Sequence, residues 1–171
     1  DSALYSMQFI GAPLTFGFKQ IGSNCGAVGI NAAVDVSGTS FWMSDESFFM
    51  FDGSVKKIPC TVQDHVFDNI NANAKQDVFC AANSDFNEVM WFYPSSGSDQ
   101  IDKVVIFNYA ENLWYVGTLA RSSWADSGVY PVPYAAEFES SDTTATISTI
   151  NGLKAGRTFI YLHETGVNDD G

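Results

Sequence analysis

The chain is poor in the residues that most enzyme chemistry relies on. It has 2 histidines and 3 cysteines, and its 8 lysines and arginines stand against 20 aspartates and glutamates. A formal charge of −12 is repelled by phosphate backbones and anionic bilayers, so neither sequence-independent nucleic-acid binding nor membrane-surface binding is expected. No stretch approaches the roughly 18 apolar residues of a membrane span. Cys25, Cys60 and Cys80 are odd in number and unevenly spaced, which fits neither a disulfide framework nor a zinc site. Cys60 follows Ile58-Pro59 and Cys80 follows Val78-Phe79. Both therefore read as small buried hydrophobes in a protein assembled in a reducing cytoplasm. Stretches of Ala, Leu, Glu and Lys at helical spacing are lacking too, which excludes a helical bundle. The opening Asp1-Ser2-Ala3 has no charged and apolar leader, and Asn168-Asp169-Asp170-Gly171 is a turn signal with no strand after it. The expectation is a single module excised from a longer protein.

What is present is aromatic and apolar. Hydrophobic residues make up 46% of the chain and aromatics 15%, enough to exclude a disordered chain. The aromatics fall in short runs (Phe48-Phe49-Met50-Phe51, Trp91-Phe92-Tyr93, Trp114-Tyr115-Val116) separated by Gly, Asn, Asp and Ser. Aromatic and β-branched runs between turn residues read as strands, so an all-β, antiparallel fold is expected. The acids then keep an aromatic-rich β protein soluble and discourage edge-to-edge pairing.

The strands group. Residues 1–25 read as one or two short strands, and 27–36 as a short helix weakened by Gly29 or as a strand at 34–36. After the turn Ser37-Gly38-Thr39, strands at 41–44, 48–51 and 54–58 are joined by Asp45-Glu46-Ser47 and by the hairpin dipeptide Asp52-Gly53. Lys56 and Lys57 are expected to point outward and blunt an edge. A second group has strands at 77–82, 88–93, 103–109 and 113–119, with turns at Asn83-Ser84-Asp85 and at Ala110-Glu111-Asn112. A third, partial group has strands at 134–136 and 158–162, insertions at 120–133 and 137–157, and an exposed hairpin strand at 144–150. Aligned on the aromatic strand, the copies start near Phe41, Met90 and Phe159. Four-stranded antiparallel meanders repeating every ~40–50 residues are the pattern of propeller blades. The expected architecture is thus a partial or complete β-propeller with units near 26–60, 61–119 and 120–171. A β-sandwich is the alternative.

Candidate chemistry is sparse. His65 and His163 sit at strand ends with no nucleophile elbow nearby, and each reads as a loop residue or structural hydrogen-bonder. Asp45, Glu46, Asp85 and Glu88 are the carboxylates that a glycosidase-like propeller would pair, yet all lie in turns or at strand starts. The loops Ser96–Asp102 and Asn168–Gly171 offer oxygen ligands suited to calcium but match no calcium-loop pattern, and they read as solvated turns. No phosphate loop or dinucleotide fingerprint occurs. The expectation is no catalytic, cofactor or metal residue. Trp42, Phe49, Phe51, Trp91, Tyr93, Trp114 and Tyr115 are expected to fill the space between adjacent sheets.

Two stretches carry a resemblance. The run Gly26 to Cys60, with Phe41-Trp42-Met43-Ser44 and Phe51-Asp52-Gly53, resembles propeller-bearing virion proteins of tailed double-stranded DNA bacteriophages. So does Trp91-Phe92-Tyr93-Pro94 followed by Asn108-Tyr109 and Leu113-Trp114-Tyr115. The likeness is to tail hub, nozzle or head–tail stabilisation proteins and covers most of residues 1–135. It implies a non-enzymatic virion component, present as a homo-oligomeric ring around the DNA conduit and in contact with other virion proteins. An acidic conduit wall would let DNA pass without adhering. Two other readings are carried forward: a carbohydrate-binding or carbohydrate-cleaving β module that contacts a host glycan, and a bacterial propeller serving as a scaffold.

Overall fold

A computed structural model of the chain describes residues 3–128, 130–140 and 156–165. Its strands are β1 (Ala3–Phe9), β2 (Phe16–Ser23), β3 (Ala33–Val36), β4 (Thr39–Met43), β5 (Phe48–Phe51), β6 (Val55–Ile58) and β7 (Phe79–Asn83). They continue with β8 (Glu88–Tyr93), β9 (Lys103–Asn108), β10 (Leu113–Thr118), β11 (Ser123–Ala125), β12 (Tyr134–Ser140) and β13 (Gly156–Leu162). One short helix, Gln63–Phe67, and the 3-10 turns Lys75–Asp77 and Ser84–Phe86 are the other elements described. The strands form a hairpin, β1-β2, then a first sheet β3-β4-β5-β6, a middle sheet β10-β9-β8-β7 and a third sheet β11-β12-β13. Every strand pair within them is antiparallel. The chain is an all-β protein of antiparallel meanders, as its aromatic runs predict.

Turn chemistry fixes the registers. Val36 pairs with Thr39 around Ser37-Gly38, whose φ angles of +52° and +85° are both left-handed, as a two-residue primed turn requires. Phe51 pairs with Val55 around Asp52-Gly53-Ser54, where Gly53 takes φ +112°. Lys56 Nζ donates to Asp52 at 2.5 Å, and this bond holds the Asp52 carboxyl below its ordinary range. Lys56 and Lys57 are both exposed on β6, the edge of the first sheet. Asn112, at φ +57°, closes the β9–β10 turn, and the Asn108 side chain accepts from the Ala110 and Glu111 N–H groups at 3.1 and 2.9 Å.

The sheets pack face to face. Phe41, Met43, Phe48 and Ile58 of the first sheet meet Val89, Trp91, Tyr93 and Phe107 of the middle one in the larger core. The alternate residues of β8, Met90 and Phe92, turn the other way. With Ala81 and Val104 they form a second core against which Trp124 of β11 packs. The middle sheet is thus buried on both faces along β8 and its neighbours β7 and β9, while β10 is buried only at Trp114. This explains why β8 reads as an unbroken apolar run rather than an alternating one. Each large side chain so enclosed contributes at most about 1.5–3 kcal/mol.

The first strands of successive sheets lie side by side. Asn31, just before β3, bridges Phe79 of β7 in parallel, and the Cys80 N–H donates to the Asn31 carbonyl at 2.7 Å. The backbones come so close that a Cβ on Gly29 would stand 2.6 Å from the Gln76 carbonyl oxygen. From β7 to β11 the tie is the Trp124 indole N–H, which donates to the Ala82 carbonyl at 3.0 Å.

Several expectations are corrected. No helix forms over 27–36; only Ala33–Val36 is regular, as β3. The supposed insertion at 120–133 contains β11, a strand too short to show a pattern. Phe41 and Met90 fall on the second strands of their sheets, whereas Phe159 falls on the third strand of its own. The third copy therefore aligns through β12, whose Ala and Glu residues disguise it. Tyr115 is 46% exposed and fills no space between sheets. Trp42, Phe49 and Phe51 lie on the face of the first sheet turned away from the middle one; Trp42, buried there, stacks on Phe49 at 5.7 Å and with Phe51 lines the cleft against the β1–β2 hairpin. The strand expected at 144–150 lies outside the described residues.

Candidate functional site

A polar cluster ties together the strands of the third sheet, and no motif in the sequence points to it. Arg121, just before β11, is 10% exposed in its side chain and donates through its guanidinium to Glu137 Oε2 of β12 at 2.8 Å. Arg121 Nε donates to His163 Nε2 at 3.1 Å, and its guanidinium carbon lies 4.1 Å from the Tyr161 ring centroid. The Trp124 and His163 rings pack at 4.6 Å. Burial first, and the Arg121 charge second, pull the His163 pKa below its ordinary value. The cluster borders a cleft of about 210 Å³ with Asp99, Ile101 and Phe138. Its groups are committed to one another, so it locks strand ends together and presents no free nucleophile.

The four candidate carboxylates fall into two pairs. Because β3 and β7 run parallel through the Asn31–Phe79 bridge, the β7–β8 turn lies at the end of the sheets opposite the β4–β5 turn. Asp85 and Glu88 are therefore separated from Asp45 and Glu46. Asp45 faces Lys75 at 3.7 Å and is exposed, as is Glu46. Asp85 accepts from the Ser127 hydroxyl at 2.7 Å. Glu88 accepts from Asn83 Nδ2 at 3.1 Å. Burial, with the Glu164 charge adding to it and Asn83 opposing, raises the Glu88 pKa. Asp126 accepts from the Ser84 backbone N–H at 3.2 Å and from its hydroxyl, stapling the β7–β8 turn to the loop after β11.

The remaining candidates are structural in their contacts. Asp102 closes its loop by accepting from the Ser95 N–H and hydroxyl, both at 2.7 Å. Ser98 bonds within the same loop, and Asp99 reaches Asn71. Among the described residues, no group of three or more His, Cys, Asp or Glu side chains is arranged to hold a metal ion. The loop 168–171 lies outside the described residues. His65 is exposed on the short helix, beside a cleft of about 200 Å³ with Tyr93 and Lys103. Cys25 is buried and the other two thiols are half-buried; burial pushes the Cys60 thiol up and the Cys80 thiol well above its ordinary range.

The indole N–H groups of all 4 tryptophans are bonded to backbone carbonyls, those of Cys25 (Trp42, 2.6 Å), Ala32 (Trp91, 3.2 Å), Pro59 (Trp114, 2.9 Å) and Ala82 (Trp124, 3.0 Å). What the surface offers instead is two uncovered apolar areas. On the hairpin, Met7, Phe9, Phe16 and Phe18 share one face and are 51–73% exposed. On the third sheet, Ile160 and Leu162 are 75% and 53% exposed beside a cleft of about 410 Å³ bordered by Tyr130 and Tyr134. No helix of the described residues is long and apolar enough to cross a membrane. No protein-family model matches the chain, and no curated protein matches it in sequence.

Proposed function

We propose that the chain is a structural subunit of a tailed-phage virion, in the tail or the head–tail connector, acting through protein–protein contacts within a homo-oligomeric ring. The observation that supports this reading is a set of packed sheets whose polar groups are bonded to one another, with large apolar side chains left exposed on the hairpin and the third sheet. Propeller-like blades are favoured over a two-sheet sandwich because the middle sheet buries two faces, where each sheet of a sandwich buries one. The side-by-side first strands support the same choice. The charge of −12 suits a wall along which DNA slides.

The host-glycan alternative has less support. Sugar binding most often stacks on open tryptophan faces, and the tryptophans here are buried or half-buried, which leaves only Phe and Tyr rings such as Phe9, Phe18 and Tyr115 exposed. Catalysis of glycosidic cleavage needs two convergent carboxylates, and the candidates are split between the ends of the sheets.

Gold-labelled antibody against the chain, applied to particles of the virus encoding it, tests the assignment. Labelling at the tail or the head–tail junction is expected. Particles without label or the corresponding peptides by mass spectrometry, with the chain left in the host cytoplasm, contradict it.

A further inference from the structure

The β7–β8 turn gathers carboxylates without gathering cationic side chains. Asn83, the last residue of β7, pairs with Glu88, the first of β8. Its Nδ2 donates to Glu88 Oε2 at 3.1 Å and to Glu164 Oε1 at 3.4 Å. Glu164 lies just beyond β13, so two segments far apart in sequence bring their carboxylates to one amide. Asp126 and Asp85 stand at the same turn, bonded to Ser84 and Ser127. Among the described residues the ion pairs are Lys56–Asp52, Lys75–Asp45 and Arg121–Glu137, and none reaches these four acids. The Glu164 charge works against ionisation of Glu88, as like charges held together do.

A second observation points from this cluster to a ligand. Asn83 is 2% exposed, and its Oδ1 is, among the described residues, the one buried side-chain oxygen or nitrogen without a partner. Leaving a buried amide oxygen unpaired is unfavourable, and folded proteins rarely do it. Turning the amide about its Cβ–Cγ bond exchanges oxygen and nitrogen with little change of shape. Oδ1 then faces both carboxylates, and three oxygens from two sheets converge. A water molecule would satisfy the amide oxygen but would leave the two negative charges opposed. A hard divalent cation satisfies all three groups at once.

We infer that Glu88, Glu164 and Asn83 Oδ1 form a Ca²⁺ site that clamps the end of β13 to the β7–β8 turn. The site joins the third sheet to the middle one, and it stands apart from any role in a virion. Two bidentate carboxylates and one amide oxygen leave roughly one to three of the ~6–8 positions around Ca²⁺ to water. Glu88 is half-buried and Glu164 exposed, so ion and water enter from the Glu164 side. Ca²⁺ suits the place better than Mg²⁺, which demands near-ideal octahedral geometry that ligands from separate segments do not readily supply.

Tb³⁺ tests occupancy, because it replaces Ca²⁺ at oxygen sites and emits when a nearby indole is excited. Trp124 is that indole: its N–H meets the Ala82 carbonyl next to Asn83, and its ring packs on His163 next to Glu164. The full chain should show Tb³⁺ emission that Ca²⁺ displaces, and a denaturant midpoint that rises with Ca²⁺ at constant ionic strength. Glu88→Gln and Glu164→Gln should each weaken Ca²⁺ binding at least about tenfold. In chelator the same variants should be no less stable than the wild type, because each removes a like-charge repulsion. Glu111→Gln, exposed on the β9–β10 turn, should keep the full Ca²⁺ response. Stabilisation by Ca²⁺ that both site variants retain reports screening of the −12 charge and overturns the site. Variants that lose equal stability with Ca²⁺ and with chelator overturn it as well. A wild type without displaceable Tb³⁺ emission also overturns it and leaves Asn83 to a water molecule.

Discussion

Trp91 shows how much one side chain settles. It is fully buried, with its ring centroid 4.8 Å from Phe48 and 6.0 Å from Trp114, and its N–H meets the Ala32 carbonyl. Trp91→Ala should cost about 3–5 kcal/mol, read as a lower denaturant midpoint. His163 gives a pH signature. Its folded pKa lies below the ordinary 6.5, so the unfolded chain binds more protons near that pH. The contribution of neutral His163 is whole above about pH 6.5 and is lost as pH falls through 6.5 toward the lower folded value. Denaturation of the wild type at pH 7.5 and 5.5 should show a loss that His163→Gln lacks. An equal loss in both proteins would place the titrating group elsewhere. Trp42, Trp91 and Trp114 were legible as packing residues from sequence and Trp124 was not, and the face each serves could not be read. A strand buried on both sides shows no alternation to read. The Arg121–Glu137–His163 cluster was illegible because its members come from three separate segments.

At the level of elements, the turns were the clearest signal. Ser37-Gly38, Asp52-Gly53 and Asn112 each need a left-handed residue, and the strands they bound lie within a few residues of their expected limits. The misses also have physical causes. β11 is a three-residue strand held by Trp124 and by pairing with β12, so its identity depends on distant partners. Gly29 looked like a weak helix residue, whereas the backbone of Gln76 passes where its side chain would be. Gly29→Ala should therefore destabilise the junction of the first and middle sheets by about 1–3 kcal/mol in chemical denaturation. Trp124→Phe keeps a ring in the second core but leaves the Ala82 carbonyl without its donor, an expected loss of about 1 kcal/mol. Faster amide exchange in β11 and β12 than in β8 should accompany that loss.

For the molecule as a whole, composition pointed to the all-β class but not to the architecture. The aromatic content called for large cores, and two form, one on each face of the middle sheet. The longest acid-free runs, between Asp1 and Asp35 and between Asp142 and Glu164, contain the hairpin and β13, where apolar side chains are exposed. Hydrogen–deuterium exchange of the full chain, at concentrations below and above assembly, tests the doubly buried middle sheet most directly. The account predicts that β8, buried on both faces, is protected most strongly at every concentration, with faster exchange in β1, β2 and β10. β8 exchanging as fast as those exposed strands would contradict it.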